Sequence, residues 1–591
     1  MKNLQVAQMF AEIADLLDIK GDDPFKIRAY RRAAQSVSVL ADPIEDYHAG
    51  GRLGEIPNIG KALAAKIAEK LDTGTCTYLE KLRAELPAGL LEMLDIPGVG
   101  ARTVALLYHQ LGVKNLDELE QAARAGRLRN LPKLGEKTEQ NILSGIPQVR
   151  NRRRRTPSWQ AWPVARDLAA MLSQDKSVRR VEIAGSLRRY RDTVGDLDLV
   201  AVSEEPAAVM DAFTKLPGVG EVLALGETKT SVRTQTGLQV DLRVVRPDQF
   251  VTALHHFTGS AEHNTQLRHL ARTKGIRVSE YGLFRSPEEG GKEVGAEPTS
   301  PDLAVPPEAD RLPVADETEI YHHLGLDYIP PELREGSGEI DAAARGRLPD
   351  LLELSDIRGD LHVHTTASDG LFGIEEMVEA ARSRGYDYLA ITDHSKSLAM
   401  VHGLDEARVK EQAAAIRSLN ARLEGFRVLS GIEVDILPNG NLDLEDGCLA
   451  DLDVVIASIH SGFRQSAGEL TARLVGATKN RHVDIIGHPT GRIIGKRDAY
   501  ALDTEALFEA AAKTGTVMEI NSSVERLDLS DTLSRRARDF GLRFAINTDA
   551  HDQDRLDEMF FGVKVARRAW LSATDVVNTR AAADLLTALK G

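Results

Sequence analysis

Gly185–Leu199 reads GSLRRYRDTVGDLDL, and the spacing of its last two aspartates decides what the middle of the chain must be. The short run Val181–Ala184 leads into Gly185-Ser186, a small-residue turn at which backbone can approach a phosphate closely. Asp196 and Asp198 flank Leu197 and run into Leu199-Val200-Ala201-Val202. Residues i and i+2 of a strand share a face, so both carboxylates point one way while Leu197 and Leu199 point into a core. Two carboxylates held this close repel each other unless they share a divalent cation. Asp241, in the strand-like run GLQVDLRVV, could complete the set from a neighbouring strand. Such a constellation suits two-metal phosphoryl transfer onto a 3′-hydroxyl. A lone Asp-x-Asp is more often a pair of solvated turn acids. Here Gly-Ser upstream, Arg188 and Arg189 between, and Asp241 downstream outweigh that reading.

These residues resemble the nucleotidyltransferase palm of family X DNA polymerases, the group that includes polymerase beta. The resemblance implies Asp196, Asp198 and Asp241 as catalytic carboxylates holding two Mg²⁺ or Mn²⁺, with Gly185, Ser186 and Arg189 at the nucleotide. It continues through HHFTGSAEHNTQLRHLARTKGIRVSEYGLF, residues 255–284. There Phe257 and Gly259 would meet the sugar, and Asn264 and Arg268 the nascent base pair from its minor-groove side. His256 stands where polymerase beta has tyrosine, and Ala261 where it has aspartate, so sugar discrimination does not carry over. Residues 286–318 are acidic and Pro/Gly-rich and read as a long loop or hairpin.

The rest of the chain fits a large multidomain enzyme. Its 591 residues allow roughly four domains. No apolar run approaches the roughly 20 residues that span a bilayer. The acidic, amphipathic start MKNLQVAQMFAEIADLL is not a signal peptide, and Cys76 and Cys448 are too few for a disulfide framework. A cytoplasmic, nucleoid-associated monomer is expected. The net charge of −15 is unevenly spread. Residues 1–160 carry 24 Lys and Arg against 20 Asp and Glu, and the remainder 50 against 69. Local basic surface therefore matters more than the total for phosphate contacts.

Residues 1–90 carry helical spacing at Val6–Leu17 and Ile27–Leu40. Ile56-Pro57-Asn58-Ile59-Gly60, Ile96-Pro97-Gly98-Val99-Gly100 and Leu131-Pro132-Lys133-Leu134-Gly135 share one pattern, each followed by a helix-forming run. Proline stiffens the turn, and the following helix offers free N–H groups to a phosphate. This resembles helix-hairpin-helix, which grips the sugar-phosphate backbone without reading sequence. It implies DNA contacts at Gly60, Gly98 and Gly100. The first copy lies in a segment resembling the small lyase domain of polymerase beta, with Lys66 at the Schiff-base position and Lys26 at a 5′-phosphate. Lys61 and Lys70 lie near, and a solvated helix lysine is an equal reading. Arg152–Arg155, including Arg152 and Arg153, form a basic run suited to the template strand.

From Ile357 onward strand-like runs alternate with helices, and ligand-type residues gather at the ends of those runs. They are His362, His364, Asp369, His394, Glu433, His460, His488, Asp549 and His551. Side chains converging from the C-terminal ends of parallel strands are how an α/β barrel builds a site. Imidazole mixed with carboxylate suits Zn, Mn or Fe, and nine ligands suffice for about three ions. The pattern resembles the polymerase-and-histidinol-phosphatase (PHP) domain, a distorted (β/α)7 barrel with a hydrolytic metal centre.

The expected architecture is all-α helix-hairpin-helix domains at 1–90 and 91–155, then an α+β palm at 156–255. A nucleotide-binding subdomain at 256–327, a linker at 328–355 and the PHP barrel at 356–591 follow. The expected function is a DNA polymerase filling short gaps in DNA repair, with gapped or primer–template DNA and deoxynucleoside triphosphates as partners. The barrel adds 3′→5′ exonuclease activity, with 3′-phosphatase, abasic-site endonuclease or lyase activity open beside it. The alternatives are a small-molecule phosphatase in the barrel and a non-catalytic scaffold that binds DNA ends.

Overall fold

The computed structural model describes residues 2–38, 40, 44–87, 89–96, 98–132, 134–153, 155–285 and 310–589. They form two compact units. The first holds Met1–Arg154 with Thr365–Gly373 and Lys396–Leu404, and the second holds Arg155–His364, Ile374–Ser395 and Asp405–Gly591.

The first unit is helical around two cores. Val6, Phe10, Ile13 and Leu17 recur at helical spacing along Lys2–Lys20 and are all fully buried. They meet Tyr30, Ala33 and Val37 of Pro24–Ser38 and Ile67 of Lys61–Thr73. The second core joins Val104 and Leu107 of Ala101–Leu111 to Leu119, Leu128, Ile142 and Ile146. Each large apolar side chain buried this way is worth roughly 2 kcal/mol. Gly74 and Gly112 end their helices in the left-handed conformation and donate back to carbonyls of the last turn. The expected Pro97, Lys133 and Arg154 lie outside the described residues.

The second unit begins with a five-stranded mixed sheet. Its strands are Arg180–Ile183 (β1), Asp196–Val202 (β2), Val219–Leu225 (β3), Lys229–Thr234 (β4) and Gln239–Val245 (β5), in the order β1-β2-β5-β4-β3. Strand β2 sits between β1 and β5, and runs parallel to β5. Leu197, Leu199 and Ala201 are fully buried against Ala165, Leu168 and Leu172 of the helix Ser158–Leu172. The alternation of β2 thus turns its two aspartates to the opposite face.

The next subdomain packs the helices Phe250–Thr258 and Ala261–Thr273 with a small antiparallel sheet of Ile276–Ser279, Gly282–Arg285 and Arg311–Leu312. Of the long loop or hairpin expected over 286–318, the described residues show the hairpin pairing, followed by the start of a helix. Arg311–Leu312 pairs with Leu283–Phe284, and Asp316 caps the helix Glu317–His323 through the N–H groups of Thr318 and Glu319. Residues 286–309 lie outside the described residues. The expected linker 328–355 is packed rather than free. Leu333, Arg334 and Glu339 are buried, and Glu339–Ala344 forms a helix. Its prolines shape a short 3₁₀ turn, Pro331–Leu333, instead of an open tether.

Seven parallel strands follow: Gly359–Val363 (β6), Tyr388–Ile391 (β7), Arg427–Asp435 (β8), Val454–Ser458 (β9), Ile485–Ile486 (β10), Val517–Asn521 (β11) and Phe544–Asn547 (β12). Every neighbouring pair is parallel, and their near-continuous burial reflects helices on the outer face. The ends meet through a parallel bridge from Val363 to Ala550, with the His364 N–H donating to the Ala550 carbonyl at 2.9 Å. The result is the nearly closed, seven-stranded barrel expected. Leu361, Ala390, Leu429, Ile456, Ile485, Val517 and Ala545 fill its lower interior against Val577 and Leu585.

Candidate active sites

The first site stands on β2 and β5. Asp198 lies directly opposite Asp241 in the parallel register, and Asp196 precedes it by two residues on the same face. Gly185 has a φ of +63°, and a Cβ there would run into the Asp198 carboxylate. Glycine is required twice over, for conformation and for room. Burial, then the charges of Asp196 and Asp241, push the Asp198 carboxyl up to about 7. Burial also raises Asp241, but hydrogen bonds from Lys229 and Gln239 outweigh it and hold its carboxyl below the usual range. Lys229 Nζ sits 2.7 Å from Asp241 Oδ2, and Gln239 Nε2 donates to Oδ1 at 2.9 Å. Carboxylates that repel one another at such close quarters fit a divalent cation, whose charge relieves the repulsion.

A cavity of about 610 Å³ opens beside these aspartates. Gly185, Ser186, Arg189, Phe257, Gly259, Asn264 and Arg268 all line it, so every residue expected at the nucleotide faces one space. Asn264 donates to the His256 carbonyl at 2.8 Å, and Arg268 Nε to the Asn264 carbonyl at 3.2 Å. Arg188 turns away: its guanidinium binds Glu317 at 2.6 Å and Thr258 Oγ1 at 2.7 Å. Arg155, Arg191, Glu262 and Glu335 also line the cavity and were not expected there. Glu335 lies so far along the chain that no spacing rule reaches it.

The second site lies at the C-terminal ends of the barrel strands. His362, His364 and Asp549 present ligand atoms within 4.8 Å of one another, as do His394, Glu433 and His460. His364 Nε2 is 3.0 Å from Asp549 Oδ1, and His394 Nδ1 is 2.7 Å from Glu433 Oε2. His488 Nε2 reaches Glu433 Oε1 at 2.9 Å, and the rings of His364 and His551 lie 4.2 Å apart. Eight of the nine expected ligands therefore come together in the second unit. Asp369 is half-buried in the loop 365–373, which belongs to the first unit.

His362 Nε2 is buried and makes no hydrogen bond among the described residues, although Glu433 Oε1 and Asp549 Oδ1 lie 3.5 and 3.7 Å from it. A donor set of imidazoles aimed at carboxylates, with such an atom left over, fits metal ions. Burial depresses the imidazole of His364 to about 4, helped by His551 and His394. A neutral imidazole is what a cation needs. Two partners had no signal in the sequence. Glu519 on β11 lies 2.7 Å from His362 Nδ1, and Asp435 on β8 lies 2.8 Å from His460 Nδ1. Each carboxylate fixes the tautomer and direction of an imidazole in the cluster. Arg526 Nε, 3.6 Å from Asp549 Oδ2, is a further cation beside the cluster.

In the first unit, Gly60 and Gly100 cap the helices Lys61–Thr73 and Ala101–Leu111 in extended conformation, and Gly98 has a φ of +82°. A Cβ at any of the three would meet nothing within 4 Å, which leaves these turns open to a ligand's backbone. Lys26 and Lys66 both lie over the Tyr78 ring, at 5.4 and 4.9 Å. Lys26 also pairs with Asp22 at 3.0 Å. Tyr78 first, then Asp22, hold its ammonium above the ordinary lysine range despite burial. Arg152 and Arg153 end the helix Glu136–Arg153, and their side chains lie outside the described residues.

Comparison with known proteins covers both halves. Family models match for a helix-hairpin-helix domain over residues 1–76, a SAM-like helix-hairpin-helix tandem over 90–146, a DNA polymerase beta thumb over 253–335 and a PHP domain over 360–523. The chain is 40% identical to the DNA polymerase/3′-5′ exonuclease PolX of Bacillus subtilis (strain 168), over the whole of both chains. It is 24% identical to DNA polymerase lambda of Rattus norvegicus over 56% of each. The barrel half is 32% identical to a probable phosphatase of Thermoanaerobacter sp. (strain X514), over 37% of this chain and 89% of that one. With the full-length match, the helix-hairpin-helix and thumb segments and the barrel in one polypeptide, the chain belongs to the family X DNA polymerases that carry a C-terminal PHP domain.

Proposed function

We propose that this protein is a DNA polymerase that extends 3′ ends in gapped or primer–template DNA from deoxynucleoside triphosphates, joined to a metal-dependent 3′→5′ exonuclease. The observation that carries the reading is the presence of two separate carboxylate-centred clusters in one chain, one on β2 and β5 and one at the barrel mouth. In the first, Asp196, Asp198 and Asp241 would hold two Mg²⁺ or Mn²⁺. Such ions activate a 3′-hydroxyl and neutralise charge at the phosphorus. Arg189, with Ser186 and the bare backbone at Gly185, holds the triphosphate. Phe257 and Gly259 bound the sugar, and Asn264 and Arg268 face the base pair. These groups position the reacting ends, which is most of what phosphoryl transfer asks of a protein.

In the barrel, His362, His364, Asp369, His394, Glu433, His460, His488, Asp549 and His551 would hold about three ions of the Zn, Mn or Fe type. Such ions supply Lewis acidity and a nucleophile at neutral pH. Glu519 and Asp435 keep the His362 and His460 rings aimed. Gly60, Gly98 and Gly100, with Lys26, Arg152 and Arg153, grip the DNA backbone. Lys66 is the candidate lyase nucleophile.

A gapped, 5′-labelled duplex tests the whole reading. Asp196→Ala with Asp198→Ala abolishes extension and spares trimming of the 3′ end, and His364→Ala does the reverse. Loss of both activities from either change, with folding intact, rejects two independent sites. The relatives described as probable phosphatases favour a second reading for the barrel alone, hydrolysis of a small phosphate monoester. That reading requires a sugar phosphate to be hydrolysed far faster than the DNA 3′ end.

A further inference from the structure

Glu335 is shared between the two catalytic halves. Its Oε1 accepts from Arg189 Nε at 3.0 Å and from Arg568 Nη1 at 3.0 Å, and Arg191 Nη1 lies 3.9 Å from Oε2. Arg568 is the last residue of the helix Met559–Arg568, which follows β12 in the barrel. Its side chain is only 2% exposed. It also donates to the Arg189 carbonyl at 2.7 Å and to Asp531 at 2.6 Å. Its Nε is buried and has no hydrogen-bond partner among the described residues, so one donor remains. Burial alone would raise the Glu335 carboxyl, but Arg568 first and Arg189 second hold it below its ordinary value.

Glu335 and Arg189 line the same cavity as Asp196 and Asp198. A triphosphate entering that cavity competes with Glu335 for the Arg189 guanidinium and is repelled by the carboxylate. We propose that Arg568 of the barrel is a positioning residue of the polymerase site: it draws the Glu335 charge to the barrel side so that Arg189 can turn to the incoming triphosphate. The inference rests on the reading of Arg189 as the triphosphate ligand. It makes the barrel a structural part of nucleotide binding, and nucleotide occupancy and the Arg568–Glu335 ion pair become linked. Arg568 touches none of the expected metal ligands, so the trimming reaction does not depend on it.

The test uses the full chain on a gapped duplex, with steady-state titration of one deoxynucleoside triphosphate. Arg568→Met raises the nucleotide KM roughly tenfold, a coupling of ordinary size, while kcat and the trimming rate stay within about twofold. Arg568→Lys recovers part of the loss. Glu335→Gln, which needs no change in the barrel, lowers KM by severalfold, and in that background Arg568→Met has less than a twofold effect. An unchanged KM in Glu335→Gln, or the same tenfold loss for Arg568→Met with and without Glu335→Gln, overturns the proposal. The second outcome would mean that Arg568 only props the fold through Asp531 and the Arg189 carbonyl. Arg189→Gln, measured alongside, separates the two levels. If it leaves KM unchanged, the role of Arg189 fails; if it raises KM while Arg568→Met does not, the coupling fails.

Discussion

Asp198 shows what a half-buried carboxyl crowded by two others does to its surroundings. Its carboxyl titrates near 7 in the folded chain and near the ordinary 4 when unfolded. A raised folded pKa gives stability that is complete at low pH and is lost as pH climbs through about 7. Without metal, Asp198→Asn should therefore melt higher than the parent. The advantage should grow up to about pH 7 and stay flat above it. Scanning calorimetry in EDTA reads this directly, and Mn²⁺ should reverse the order by stabilising only the parent. Around the barrel site the informative residue is Glu519. Glu519→Gln leaves every expected ligand in place but loosens the His362 ring, so metal affinity should fall by about 10- to 100-fold. Metal content after dialysis against a chelator series measures it.

At the scale of elements, the hairpin turns and the strands do different work. The turns before Lys61–Thr73 and Ala101–Leu111 expose backbone where side chains would be tolerated sterically. Gly60→Glu and Gly100→Glu should fold normally, yet weaken binding to gapped DNA by placing a carboxylate where a phosphate approaches. The slope of log affinity against log salt should fall by about one unit for each phosphate no longer gripped. An unchanged slope in fluorescence anisotropy would show that these turns do not touch DNA. Strand β2 carries the opposite constraint. Gly185→Ala forces a methyl into Asp198, an overpacking that costs about 1–3 kcal/mol and should abolish extension while leaving trimming intact.

At the scale of the whole molecule, buried ion pairs tie the polymerase elements together over long sequence distances. Arg334 has no exposed side-chain surface, and Glu317 pairs with it at 2.7 Å and with Arg188 at 2.6 Å. Burial raises the Glu317 carboxyl, but Arg334 and Arg188 prevail and hold it well below the usual range. That contribution is present above the ordinary carboxylate range and is lost as pH falls. Glu317→Ala should cost about 3–5 kcal/mol, because it strands a buried guanidinium, and the cost should shrink in acid. The order of elements, the Asp196-x-Asp198 pair, the hairpin turns and the histidine-rich cluster of the barrel were legible, because each rests on local spacing: period 2 on β2, helical period in Lys2–Lys20, histidines ending strand-like runs. Reading 328–355 as a linker failed because prolines and glycines mark turns without telling whether the turn is packed, and Leu333, Arg334 and Glu339 are buried. The sequence by itself determined which side chains share a face, since the aspartates and histidines sit at spacings that a strand or turn converts directly into that face. Only the tertiary structure decided their partners: Asp241 opposite Asp198, Glu519 behind His362, and Glu335 between Arg189 and Arg568. Those pairings are set by strand register or bridge up to 233 residues of chain, and no local periodicity encodes which distant charge will be buried beside which.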